Sequence, residues 1–247
     1  MRIKGIIFDV NGTLIDIHTD EHYSKIYRFI SRFLTFHGIR VHHEALKEEY
    51  FQIIRDQRRA SREEHPEYDV QEVWREFLRR RAHSGRGPCP TKIDQLSAFL
   101  AELFRGISRR RLELYPGVRE TLDDLRASRR LAVLSDAQRA WALPELRTVG
   151  IDGYFEHCVI SGDHGFRKPD QRLFEMALSR MGLASRETIY VGNDMYRDVF
   201  GPKRLGINTV FFSSNQGRKH MDGVEPDYVI HNFHELRQAV DFFERAN

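Results

Sequence analysis

The pattern of this chain predicts an α/β fold: a doubly wound parallel sheet interrupted by an inserted all-helical domain. Three observations carry the prediction. An apolar run over residues 3–8 reads as a buried strand and ends at Asp9. From about residue 20 to 107 the apolar spacing is helical throughout. From Leu114 onward, short β-branched runs alternate with helical segments, the order that builds a parallel sheet with helices on both faces. The helical block separates the first strand from the rest, and an insertion accounts for that order most economically.

Within the block, Tyr23, Ile26, Tyr27, Ile30, Phe33 and Leu34 share one helix face, with Asp20 expected as the cap and Gly38 as the stop. Leu46, Tyr50, Ile53 and Ile54 form a second stripe, and Val70, Val73, Trp74, Phe77 and Leu78 a third. Ile93, Leu96, Phe99, Leu100, Leu103 and Phe104 form a fourth. Such aromatic stripes are core packing rather than a cofactor box. His65-Pro66-Glu67 and the Gly/Pro-rich stretch at 85–90 break the helices into a bundle. In the second texture, strands are expected at 130–134, 158–160, 188–191, 208–212 and 228–230, with helices at 118–127, 171–181 and 233–243.

Composition bounds the function. A chain of 247 residues that is 40% hydrophobic, with 17 Phe, can bury a sizeable core. No apolar stretch approaches a membrane span, and the start lacks a signal peptide's apolar region. Cys89 and Cys158 make neither a disulfide framework nor a zinc spacing, so a reduced, soluble, cytoplasmic protein is expected. The net charge of +3 hides a balance of +5 over residues 17–112 and −2 elsewhere. Solvated helix faces, including Arg79–Arg81 and Arg109–Arg111, account for that bias. No aromatic-basic interleaving points to nucleic acid.

Four elements carry chemistry. Asp9-Val10-Asn11-Gly12-Thr13 follows the first strand, placing a carboxylate where open α/β sheets bind ligands. A second strand ends in Ser135, followed by Asp136. Lys168 stands before Pro169, and Gly192-Asn193-Asp194 is followed by Asp198. Each has a plainer reading: a strand-ending serine, a turn lysine, Asp194 as the N-cap of a helix beginning near Met195, Asp198 paired with a cation on that helix. Taken together and in this order, they resemble the haloacid dehalogenase superfamily of aspartate-nucleophile hydrolases, mostly phosphatases.

The resemblance implies a helical cap entering after the first motif and returning at Leu114-Tyr115-Pro116-Gly117, hence a core at 1–16 and 113–247 and a cap at 17–112. It implies that Asp9 attacks phosphorus and forms an aspartyl-phosphate. Mg²⁺ would be held by the Asp9 carboxylate, the Asn11 carbonyl and Asp194, with Asp198 binding or orienting a coordinated water. Ser135 would donate to a phosphoryl oxygen, and Lys168 would neutralise nucleophile and transferring group. Asp136 stands where dehalogenases commonly carry a substrate-binding Asn. The implied partner is a small phosphorylated metabolite.

The motif usually reads Asp-x-Asp-x-Thr, and here the second acid is Asn11. General acid–base catalysis by that acid is worth about 10²–10⁴-fold. An amide can donate a hydrogen bond but cannot transfer a proton at neutral pH. Three readings follow: a Mg²⁺-dependent phosphatase, slow or selective for a good leaving group; a metal-free 2-haloacid dehalogenase; or a weakly catalytic phospho-ligand-binding module. The acids of the fourth element favour the phosphatase. Asp16 or a cap histidine could replace the lost proton donor, and His18, His42 and His43 could line an entrance. A phosphonate hydrolase would need a cap lysine, and Lys25 and Lys47 read as solvated.

Overall fold

The computed structural model describes residues 2–82 and 90–246. Cys89 and most of the expected break at 85–90 lie outside the described residues. The chain runs β1 (Gly5–Phe8), β2 (Ile15–Thr19), α1 (Ser24–Phe36), α2 (His43–Ala60), α3 (Val70–Ala82), α4 (Pro90–Ser108) and β3 (Arg109–Leu114). It continues through α5 (Val118–Arg126), β4 (Arg130–Ser135), α6 (Arg139–Thr148), β5 (His157–Ile160), α7 (Gln171–Met181) and β6 (Thr188–Gly192). A π-helical turn, Met195–Phe200, leads into α8 (Gly201–Lys203), followed by β7 (Asn208–Phe212), β8 (Tyr228–Ile230) and α9 (Leu236–Ala246).

Six strands pair in parallel in the order β5-β4-β1-β6-β7-β8. The chain winds outward from β1 to β4 and β5, then returns to the other side of β1 for β6, β7 and β8. Asp9, at the end of β1, therefore sits at the switch point where such sheets bind ligands. The period of two sorts each strand between two layers. Ile6, Phe8, Leu131, Val133, Ile189 and Val191 join the cluster that contains Val118 and Leu122 of α5 and Val240 of α9. Ile7, Ala132, Leu134 and Tyr190 face Leu173, Phe174 and Ala177 of α7. Helices cover both faces, as doubly wound sheets require.

The helices between β2 and β3 have their own core, in which Tyr27, Tyr50, Trp74, Phe77 and Phe104 are fully buried. All four apolar stripes turn inward, except that Phe99 remains exposed. Two local expectations fail. Helix α1 begins after Tyr23, not Asp20, because Asp20 sits in the turn that leads out of β2. The ends of the insertion are also not helical: β2 and β3 pair as an antiparallel ribbon, placing exposed His18 and the Arg109–Arg111 run on strands. Alternation over five or six residues was too short to stand out against the helical texture around it.

The helical block grips the core at defined points. Trp141 of α6 packs into the helical cluster and donates its indole N–H to the Ala101 carbonyl at 2.9 Å. Arg105 of α4 pairs with buried Glu145 of α6 at 2.6 Å. The amide of Gln138 donates to the Tyr68 carbonyl and accepts from the Val70 N–H. Four arginines of the two basic runs are spent on ion pairs. Arg79 and Arg80 pair with Glu72 and Glu76, Arg81 with Glu49, and Arg111 with Asp16. No described helix is long and apolar enough to cross a membrane. Truncating Trp74 to Ala should cost about 3–5 kcal/mol in urea unfolding, since the cluster closes around its ring. A loss below about 1 kcal/mol would show that the helical block is not packed as described.

Candidate active site

The site lies along the carboxyl ends of β4, β1 and β6. β1 delivers Asp9, 5% exposed, whose backbone N–H is held by the Val191 carbonyl of β6 at 2.9 Å. One carboxylate oxygen of Asp9 accepts from the Lys168 ammonium at 2.8 Å, and the other from the Thr13 hydroxyl at 2.9 Å. Lys168 is 2% exposed and spends all three protons, on Asp9, on the Tyr190 hydroxyl at 3.0 Å and on Asp198 at 2.6 Å. Burial alone would lower its affinity for a proton. The carboxylates of Asp198 and Asp9 outweigh that and hold the ammonium well above its ordinary pKa.

Asp198 is fixed from both sides. Its second oxygen accepts from the backbone N–H groups of Asn193 at 3.1 Å and Asp194 at 3.0 Å, so the carboxylate ties off the end of β6. Gly192 makes room for this: a Cβ there would meet the Asp198 Cβ at 2.3 Å. Gly12 plays the matching part under Asp9, with φ at +85° and a Cβ that would lie 2.3 Å from the Asn193 amide nitrogen.

Asp194 takes the plainer of its two sequence readings. It is the N-cap of the turn at Met195: one oxygen accepts from the Tyr196 and Arg197 N–H groups at 3.1 and 2.9 Å. The other accepts from the Arg197 guanidinium at 3.0 Å and the Arg218 N–H at 3.1 Å. Burial works against its charge, yet Arg197 and these N–H donors hold its pKa below the ordinary value. Its neighbour Asn193 points toward the loop after β1 instead, its side-chain oxygen 3.3 Å from the Thr13 hydroxyl.

A divalent cation was expected on Asp9, Asn11, Asp194 and Asp198, and this donor set does not fit one. Both oxygens of Asp194 and one of Asp198 already carry two N–H groups of the chain, and the other Asp198 oxygen takes a Lys168 proton and shares the Tyr190 O–H with the Leu134 carbonyl, which leaves these carboxylates little acceptor capacity. Among the described residues no three His, Cys, Asp or Glu side chains are gathered to hold a metal. A ligand-ready rim remains. The Asn11 side-chain oxygen, the Ser135 hydroxyl and one oxygen of Asp136 are buried with no hydrogen-bond partner, while the other Asp136 oxygen accepts from the Lys168 backbone N–H at 2.9 Å.

Thus Asp9, Asn11, Ser135, Asp136, Lys168 and Asp198 line one edge as the sequence suggested, while Asp194 serves the turn beside it. Sequence reasoning missed Tyr190 and Arg197, and it named Thr13 and Asn193 in their motifs without giving either a place in the site. Tyr190 was legible in strand parity, since it shares the α7 face with Ile7. Lys25 and Lys47 stay outside the cluster, Lys47 donating to the His22 carbonyl at the surface and Lys25 lying over Tyr23, and Asp16 of the core is bound by Arg111 and Gln216.

A parallel sheet with a helical block spliced in behind its first strand, and charged side chains gathered at its switch point, defines a capped α/β enzyme. Sequence comparison narrows the class: the model of the haloacid dehalogenase-like hydrolases matches residues 3–206, and the chain belongs to that family. The glyceraldehyde 3-phosphate phosphatase of Pyrococcus furiosus is 29% identical over 133 residues, 53% of this chain and 55% of that protein. The phosphoserine phosphatase of Thermus thermophilus is 34% identical over 140 residues, 56% of this chain and 54% of the relative. The chain thus spans about half the length of these curated relatives. Solved structures share the fold over nearly the whole chain. A 2-haloacid dehalogenase from Pseudomonas syringae pv. Tomato matches with a TM-score of 0.70 at 21% identity, covering 98% of this chain and 99% of that one. A HAD phosphatase from Thermococcus onnurineus matches at 0.60 and 21%, covering 96% and 97%.

Replacing Lys168 by Met should cost about 3–5 kcal/mol of stability, because it strands two buried carboxylates without a cation. Urea unfolding of the two proteins measures it. A change within about 0.5 kcal/mol would mean that the ammonium is not the partner of Asp9 and Asp198.

Proposed function

We propose that this protein is a phosphatase of small phosphorylated metabolites that works through a phospho-enzyme on Asp9, and that it favours leaving groups able to depart without a proton. The observation that carries the reading is the buried Asp9 held by Lys168 and Thr13 at the switch point. An Asp9 oxygen attacks phosphorus while the bond to the leaving oxygen breaks and that oxygen keeps the electron pair. Water then attacks the same phosphorus, and Asp9 leaves as a carboxylate. The Ser135 hydroxyl, buried and unpartnered, is available to a phosphoryl oxygen. Lys168 keeps the nucleophile's own charge from repelling the incoming anion.

The names of the phosphatase relatives support a phosphoryl substrate. Asn11 supports the leaving-group preference, because an amide in this place cannot protonate an alkoxide. An acyl phosphate expels a carboxylate, which is stable unprotonated. Mg²⁺ is the cofactor the motifs imply, but the engaged oxygens of Asp194 and Asp198 leave no fitting donor set, so no step here runs through it.

A second reading has its own support. A halide also leaves without a proton, and the spent acids of the fourth element remove the argument that set the phosphatase above a 2-haloacid dehalogenase. A panel assay separates them: phosphate release from acyl phosphates and alkyl phosphomonoesters, and halide release from 2-haloacids. The proposal expects phosphate release, with the acyl phosphates faster than the alkyl esters by about 10²-fold or more in kcat/KM. Halide release alone would make this a dehalogenase. Silence on every substrate would leave a ligand-binding module.

A further inference from the structure

An anion laid on Asp9 enters a strongly negative place. Asp136 follows β4, Asp9 follows β1, and Asp194 and Asp198 follow β6, three adjacent strands. Lys168 is the obvious counter-charge, but all three of its protons are held by Asp9, Asp198 and Tyr190. It can neutralise the nucleophile and has no N–H left to offer a substrate.

Arg197 is differently placed. It lies in the π-helical turn after β6, a rare geometry that recurs at functional sites. One terminal nitrogen donates to Asp194 at 3.0 Å, and the other lies 3.8 Å from the Asp136 oxygen that has no hydrogen-bond partner. β1 runs between β4 and β6, so a guanidinium joining Asp194 to Asp136 spans the end of the strand that carries Asp9. The charges of Asp198 and Asp9 also act on it. The side chain is 39% exposed, so part of the guanidinium stays open to a ligand beside Asp136 and Asp194.

We propose that Arg197 is the substrate-binding cation of this site, its guanidinium gripping the oxyanion of the substrate over Asp9 in the electrostatic place that the motifs assign to Mg²⁺. A guanidinium suits the task, since its planar fork matches a phosphoryl or carboxylate edge. Asp194, which the motifs would make a metal ligand, instead positions that fork. The oxyanion is a phosphoryl group on the phosphatase reading above, on which this inference rests, and a 2-haloacid carboxylate on the alternative.

The test is calorimetry on the intact chain, with inorganic phosphate in EDTA, with lactate (the hydroxy-acid product of a 2-haloacid) in EDTA, and with Mg²⁺ alone. It is repeated on Arg197→Met and Arg197→Lys, each checked for an unchanged unfolding midpoint. The expected result is phosphate binding in EDTA, weakened about ten-fold or more in Arg197→Met and partly kept in Arg197→Lys, with no heat from Mg²⁺. Lactate binding in place of phosphate, lost in Arg197→Met, would uphold the role of Arg197 while removing the phosphatase reading. The inference is overturned if wild type binds neither anion until Mg²⁺ is added. It is equally overturned if Mg²⁺ binds alone and Asp194→Ala abolishes it, or if Arg197→Met binds the anion as tightly as wild type.

Discussion

At the centre of this molecule a buried ammonium is shared between two carboxylates. Lys168 arrives from the loop before α7, Asp9 from the end of β1, and Asp198 and Tyr190 from the end of β6 and the turn beyond it. Taking three charges out of water costs several kcal/mol per ion, and only close, fully hydrogen-bonded geometry offsets it. That geometry exists because β1 is paired in register with β6, Phe8 opposite Val191, so the two chain ends rise at the same height. The hydrogen bonds of Asp198 to the Asn193 and Asp194 N–H groups then set the direction in which the chain leaves the sheet. The turn at Met195, the N-cap at Asp194 and the reach of Arg197 toward Asp136 all follow from that direction.

The same constraint connects the fold to its chemistry. A nucleophile already bonded to a cation accepts an anionic substrate without having to shed its own hydration first. With every Lys168 proton engaged, the proposed recognition of the substrate's oxygens falls to groups at the rim: Ser135, Asn11 and the guanidinium of Arg197. Asn11 keeps the shape of the usual acid without a proton to give, which on the proposed mechanism selects leaving groups and leaves the framework intact. The helical block stands over this edge, fastened to α6 through Trp141, Arg105 and the Gln138 amide. Family membership and shared fold are compatible with either leaving group, because both chemistries need the same carboxylate at the same strand end.

Much of this was legible in the residues. The apolar run at 3–8 located β1 and put Asp9 at its end, and the stripes of α1 to α4 located the second core. What escaped was decided by direction rather than by pattern. Asn193 and Asp194 are adjacent, and only the exit of the chain from β6 determines which of them faces Asp9. An acid at the start of a helical turn reads equally well as a cap or as a metal ligand, and here the two free N–H groups of the turn claimed Asp194. Arg197 belongs to none of the four elements read from the sequence. Its place became visible only when the strand order brought Asp136 and Asp194 to either side of Asp9. The β2–β3 ribbon was hidden because its strands are short and carry more charge than apolar residues.

The central claim is the proposed role of Asp9 as the nucleophile that takes up the phosphoryl group, and the direct test is to find that group on it. A single turnover of an acyl phosphate labelled in its phosphoryl group would be quenched in acid, digested and mapped by mass spectrometry. The account predicts the label on the carboxylate of Asp9, in the peptide that spans Phe8 to Thr13. Complete turnover with that peptide unlabelled at every quench time, and the label on another residue or on none, would contradict it.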